Sequence, residues 1–195
     1  MAISISIWVF AYALGSIPFG VLLARTQNID LRKHGSKNIG ATNVTRILGK
    51  KAGALTLLGD TIKGSLGVAL ASWVTNDPFT IAGAGIMVVL GHLFSVFLKF
   101  KGGRGVSTGL GVHLYIMQIV TLEAMAVFIV TLWVSKYVSL SSIIAAISLP
   151  IFGIFFGIPF PYQFMSLVIS ILIIYKHYGN IRRIVEGTEP RFLKK

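Results

Sequence analysis

The sequence predicts an all-α fold, a polytopic membrane helical bundle forming a single domain over residues 1–195. Apolar runs recur along the chain at close to the roughly 20 residues that cross about 30 Å of hydrocarbon. Hydrophobic residues make up 54% of the chain and charged residues 12%, against about 25% in soluble domains. Mean hydropathy is +0.80. The charge that remains is concentrated between the apolar runs, where basic residues favour the cytoplasmic side. Within hydrocarbon the backbone must satisfy its own hydrogen bonds, and runs of this length do so as helices.

Residues 3–24 form the first run. It has no basic segment before it and no small-residue cleavage site after it, so it reads as a retained span rather than a signal peptide. The runs 52–74 and 79–98 follow, divided by TNDP at 75–78, which contains no Lys or Arg. Residues 106–135 would make one helix about 45 Å long, too long for an ordinary crossing. A single crossing would also put Lys136 and the basic tail on the wrong sides. Two short helices with a turn near Gln118 to Glu123 remove both conflicts and place Glu123 at that outer turn. The runs 139–157 and 161–176, divided by GIPFPY at 157–162, complete seven transmembrane helices, with the N-terminus outside and the C-terminus cytoplasmic.

On the cytoplasmic side this places Arg25, Arg32, Lys33, Lys37, Arg46, Lys50 and Lys51, then Lys99, Lys101 and Arg104, then Arg182, Arg183, Arg191, Lys194 and Lys195. The segments 34–46, 91–108, 139–142 and 177–189 meet at that face. A net charge of +12 suits anionic lipid and phosphorylated substrates; the phospholipid membrane is an expected partner and nucleic acid is not. The absence of cysteine excludes disulfides, thiolate catalysis and Cys-based metal sites. No H-E-x-x-H or comparable cluster is present, so no metal site is expected. No motif specifies an oligomeric state.

Four groups of residues carry candidate chemistry. In KFKGGRGVST, 99–108, Gly102, Gly103 and Gly105 allow backbone amides to approach an anion, and Arg104 adds a fork suited to phosphate oxygens. The same stretch also reads as a tight turn whose cations enforce topology. In HGSKNIGATNVTRILGKK, 34–51, Ser36, Asn38, Thr42 and Asn43 offer hydrogen bonds and Arg46 a permanent charge. There the alternative is an interfacial helix capped by Thr42 or Asn43. His177 and Asn180 share a helical face and suit a substrate hydroxyl, or else a solvated interface. Asp60 and Lys63, three residues apart inside a span, read as a structural ion pair facing the bundle interior. His34 and His92 share the ambiguity of His177, His113 reads as a packed core residue, and Ser141 and Ser142 as helix caps.

Taken together, GSIPFG (15–20), GSKNIGATNVTR (35–46), GHLFSVFLKFKGGRGVSTGLG (91–111), YVSLSSI (137–143) and HYGNIRRIVEGTEPRF (177–192) resemble the bacterial integral-membrane acyl-phosphate:glycerol-3-phosphate acyltransferases. The resemblance covers essentially the whole chain. It implies a seven-span fold and transfer of a fatty acyl group from acyl phosphate to the sn-1 hydroxyl of glycerol 3-phosphate. The products would be lysophosphatidic acid and phosphate, the first step of phospholipid biosynthesis, with no cofactor. The implied setting is the bacterial cytoplasmic (inner) membrane, with the active site facing the cytoplasm. By residue, it implies catalytic roles for Ser36, Arg46, His177 and Asn180, glycerol-phosphate binding by 102–105, a pocket role for Ser142 and a structural role for Glu189. Arg104 stands where the family usually has lysine, replacing a point charge by a bidentate fork. An organic-phosphate transporter and a lipid-binding scaffold are the rival classes; the cation-free outer connections disfavour the first.

Overall fold

The computed structural model describes residues 1–192, and no strand occurs among them. Lys194 and Lys195, expected at the cytoplasmic side, lie outside the described residues. The helices are α1 (Ala2–Gly15), α2 (Phe19–Arg25), α3 (Ala41–Leu48), α4 (Lys50–Val74), α5 (Pro78–Leu93), α6 (Val106–Ile116), α7 (Gln118–Ser135), α8 (Val138–Phe155), α9 (Phe160–Lys176) and α10 (Tyr178–Val185). Five segments are long and apolar enough to cross a membrane: 2–25, 50–74, 78–98, 118–135 and 138–155. The pair α9 and α10 passes the same test together but is bent by 54°, and α6 is a shorter apolar helix.

The first run is two helices, because Pro18 removes a donor and clashes with the preceding turn. The freed backbone groups are satisfied by neighbours: Ser95 Oγ donates to Ser16 O at 2.5 Å and Lys63 Nζ donates to Ile17 O at 2.6 Å. The long run 106–135 does divide, but at Met117, one residue before the expected window. No Gly or Pro makes this elbow. Met117 is buried against Val120, Ala124 and Leu149, and that packing holds its extended φ of −137°. Glu123 is consequently an exposed residue within α7 rather than part of a turn.

Small residues let the helices approach closely, as in other membrane bundles. A Cβ on Gly64 would meet Thr108 O and one on Gly111 would meet Thr61 O, which fixes α4 against α6. Ser65 Oγ donates to Gly111 O at 2.8 Å across the same seam. Gly15 against Val88 O and Gly91 against Tyr12 O do the same for α1 and α5. Val68, Val88, Val112, Met165 and Ile169 fill the space between, while Trp73, Trp133 and Phe155 face outward, suited to lipid. The expected intramembrane pair is present: Lys63 Nζ lies 2.8 Å from Asp60 Oδ1, both buried.

Replacing Gly111 by leucine forces the α4–α6 seam apart. The expected cost is roughly 1–3 kcal/mol, read as a fall of several degrees in the thermal midpoint of the purified protein; an unchanged midpoint contradicts this account of the seam.

Candidate active site

The site grows from the C-terminal end of α5. A helix leaves its last carbonyls without intrahelical donors. Here His92 O accepts from the Gly103 amide at 3.0 Å and Leu93 O from the Gly102 amide at 3.2 Å. Lys176 Nζ also donates to Leu93 O at 3.1 Å, and Tyr12 Oη donates to Phe94 O at 2.6 Å. The loop therefore folds back onto the helix it leaves, through consecutive left-handed residues Lys99 and Phe100. A Cβ at Gly102 or Gly103 would strike the His92 carbonyl or its ring, so these glycines serve close approach.

This corrects the expected phosphate cradle. The Gly102 and Gly103 amides are occupied by α5 carbonyls and are not available to an anion. The available amides lie one step further on. Gly105, with φ of +85°, caps α6, and the amides of Gly105, Val106 and Ser107 have no acceptor among the described residues. A helix N-terminus of this kind favours anions. Arg104 stands beside it, and burial pushes its guanidinium down to about 10, so it remains charged near neutrality. Glu189, Arg183 and Arg46 all act on that charge, which locates the three around it.

Opposite Arg104, α9 ends and the chain turns into α10 at His177. Its Nδ1 donates to Ile173 O at 2.8 Å, leaving the lone pair on Nε2. Burial, the largest influence, lowers its pKa to about 4; the nearby Arg104 charge acts in the same direction. Asn180 Nδ2 donates to Glu189 Oε1 at 2.6 Å, Ser139 Oγ donates to the same oxygen at 2.6 Å, and Arg183 Nε donates to Oε2 at 2.8 Å. Burial alone would raise the Glu189 pKa, but these three donors hold it below its ordinary 4.5. Its contribution to stability is therefore complete above pH 4.5 and is withdrawn as pH falls through the lowered value.

The third wall is the loop 34–40. Asn43 organises it: Oδ1 accepts from the Ser36 amide at 2.9 Å, and Nδ2 donates to Asn38 O at 2.7 Å and His34 O at 3.2 Å. Buried and fully engaged, Asn43 positions Ser36 instead of offering itself to a ligand, and Gly40, not Thr42 or Asn43, caps α3. Ser36, Asn38 and Thr42 are partly exposed. Asn38 uses Oδ1 to accept from the Ile39 amide. Arg46 is exposed and reaches across to Pro190 O at 3.4 Å, joining this loop to the segment carrying Glu189. Ser141 and Ser142 are not caps; they donate to Tyr137 O and Val138 O one turn back within α8. His113 is a core residue as expected, bonded to Gly109 O and Ser166 Oγ. Sequence reasoning passes over Ser139, Arg183, Lys176 and the Asp60 contact of His92. The dense serines of 139–142 are the only signal for the first; the others depend on side chains meeting partners outside their own helices, Arg183 and Lys176 at the α9–α10 bend and His92 across from α4.

The fold and its cation-rich polar end define a polytopic, all-helical integral-membrane protein. The chain belongs to the glycerol-3-phosphate acyltransferase family, whose model matches residues 5–187. It is 48% identical over 183 residues to the glycerol-3-phosphate acyltransferase of Geobacter sulfurreducens, covering 93% of this chain and 94% of that one. It is 45% identical over 186 residues to that of Aquifex aeolicus, covering 94% and 96%. The crystal structure of PlsY (YgiH), an integral membrane glycerol 3-phosphate acyltransferase, in its glycerol 3-phosphate form, superposes with a TM-score of 0.94 at 43% identity, covering 97% of this chain and 96% of that one. A lysophosphatidic acid form of the same protein gives a TM-score of 0.91.

The burial of His177 predicts a depressed titration. In the substrate-free protein, NMR of the ring-labelled histidine should show a midpoint near 4; a midpoint at or above the ordinary 6.5 contradicts the geometry.

Proposed function

We propose that the protein is an acyl-phosphate-dependent glycerol-3-phosphate acyltransferase. It transfers a fatty acyl group from acyl phosphate to the sn-1 hydroxyl of glycerol 3-phosphate, giving lysophosphatidic acid and phosphate, the first step of phospholipid biosynthesis. The observation that carries this reading is a His177 whose Nε2 keeps its lone pair, near enough to the half-buried, charged Arg104 to feel its charge, at the open amides of α6. The family membership and the relatives' stated activity support it.

The chemistry follows from the parts. An acyl phosphate has an activated carbonyl, so the substrate hydroxyl attacks it directly and no enzyme nucleophile is required. Arg104 and the α6 amides hold the glycerol 3-phosphate phosphate. Ser36 and Arg46 hold the acyl-phosphate phosphate, with Asn38, Thr42 and Ser142 lining the same cleft. As the oxygen–carbonyl bond forms, the carbonyl–phosphate bond breaks; His177 Nε2 takes the hydroxyl proton and returns it to the departing phosphate. Asn180, held by Glu189, orients the hydroxyl, while Asn43 fixes the Ser36 loop. The whole chain acts as one membrane domain with seven spans: residues 2–25, α4, 78–98, α6, α7, α8 and α9. With the N-terminus outside and the C-terminus in the cytoplasm, the site faces the cytoplasm from the bacterial inner membrane, because the basic segments then share one side.

The purified protein, supplied with glycerol 3-phosphate and acyl phosphate, acyl-coenzyme A or acyl-carrier protein in parallel, should form lysophosphatidic acid and phosphate only from acyl phosphate. Product from another donor alone, or none from any, overturns the reading. His177→Ala should lower kcat by roughly 10²–10⁴-fold with little change in KM.

A further inference from the structure

Three polar side chains deep in the bundle take no part in the proposed reaction: Asp60 and Lys63 of α4 and His92 of α5, each no more than 5% exposed. Lys63 Nζ lies 2.8 Å from Asp60 Oδ1, donates to Ile17 O at 2.6 Å and sits 5.8 Å from the Phe19 ring centre. It thus ties the ion pair to the break between α1 and α2. On the other side, His92 Nδ1 is 3.6 Å from the same Asp60 oxygen. The far edge of the His92 ring lies against Gly103, so close that a Cβ there would collide with Nε2. The His92 carbonyl accepts the Gly103 amide. His92 therefore grips Gly103 by ring and backbone, and the next residue is Arg104.

Such a cluster is a poor way merely to stabilise a fold. Charges within a membrane are expensive, and apolar residues of similar volume often replace a buried ion pair at no loss of stability. What a directional charge cluster supplies is a fixed position. We propose that Asp60, Lys63 and His92 form a positioning network that sets the glycine loop, and with it Arg104, against the α1–α2 break. The segment GSIPFG at 15–20 belongs to the same network, since Ile17 presents its carbonyl to Lys63 and Phe19 lies beside the ammonium. The network rests on the proposed function and deepens it by naming residues that act through Arg104 without touching substrate.

The test uses the full chain in lipid nanodiscs. Hydrogen exchange at the Gly102 and Gly103 amides is read without substrate, and kcat and KM for glycerol 3-phosphate are read separately. His92→Leu should speed exchange at both amides by at least about tenfold and raise KM by about tenfold, with kcat within about threefold. His92→Asn, which keeps a polar group toward Asp60, should recover much of both. Should His92→Leu fail to fold, the isosteric Asp60→Asn must shift exchange and KM in the same directions. Variants that lower only the thermal midpoint, leaving loop exchange and KM unchanged, overturn the network. A wild type without turnover overturns the proposed function instead, and loop exchange still decides the network.

Discussion

The end of α5 is the constraint around which the polar half of the molecule is arranged. It carries carbonyls that lie away from bulk water and must each find a donor. The protein answers with parts of its own site. Gly102 and Gly103 fold back to donate, Lys176 arrives from the residue before His177, and Tyr12 comes from α1. Satisfying one helix terminus thereby registers the glycine loop, the bend between α9 and α10 and the first helix against one another. The same bonds occupy the Gly102 and Gly103 amides, whereas the first amides of α6 have no acceptor among the described residues.

Charge is disposed around the same end of the molecule. Only six acidic residues stand against eighteen Lys and Arg, and the interior carboxylates Asp60 and Glu189 each organise a cluster. Glu189 gathers Ser139 from α8 and Asn180 and Arg183 from α10. Asp60 gathers Lys63 and His92 at the base of the loop. Between these clusters stand Arg104, charged, and His177, kept neutral by burial. A positive guanidinium thus stands near a neutral imidazole, each in the protonation state its surroundings impose.

Much of this is legible in the sequence where chemistry forces a local outcome. Asp60 and Lys63 at a three-residue spacing inside an apolar run have little option but to pair, and a run as long as 106–135 has to break. The place of the break is not legible, because Met117 turns the chain by packing into a tertiary cluster rather than by a local Gly or Pro signal. Ser36, Arg46, Arg104, His177 and Asn180 stand out as residue types in polar segments. Their partners do not: that Asn43 holds the Ser36 loop and that Gly102 and Gly103 donate to α5 depends on where the backbone returns in space. Glycines in a basic loop signal close approach, but the sequence leaves open whether a ligand or another part of the chain approaches.

Everything proposed for the site depends on which amides face the phosphate. Dipolar coupling between ³¹P of bound glycerol 3-phosphate and ¹⁵N sites in membrane-embedded protein measures this directly. Coupling to the Gly105 and Val106 amides and to the Arg104 guanidinium, without coupling to Gly102 or Gly103, is the predicted result. Strong coupling to the Gly102 and Gly103 amides would contradict it, because those groups would have to leave the α5 carbonyls that hold the loop in place.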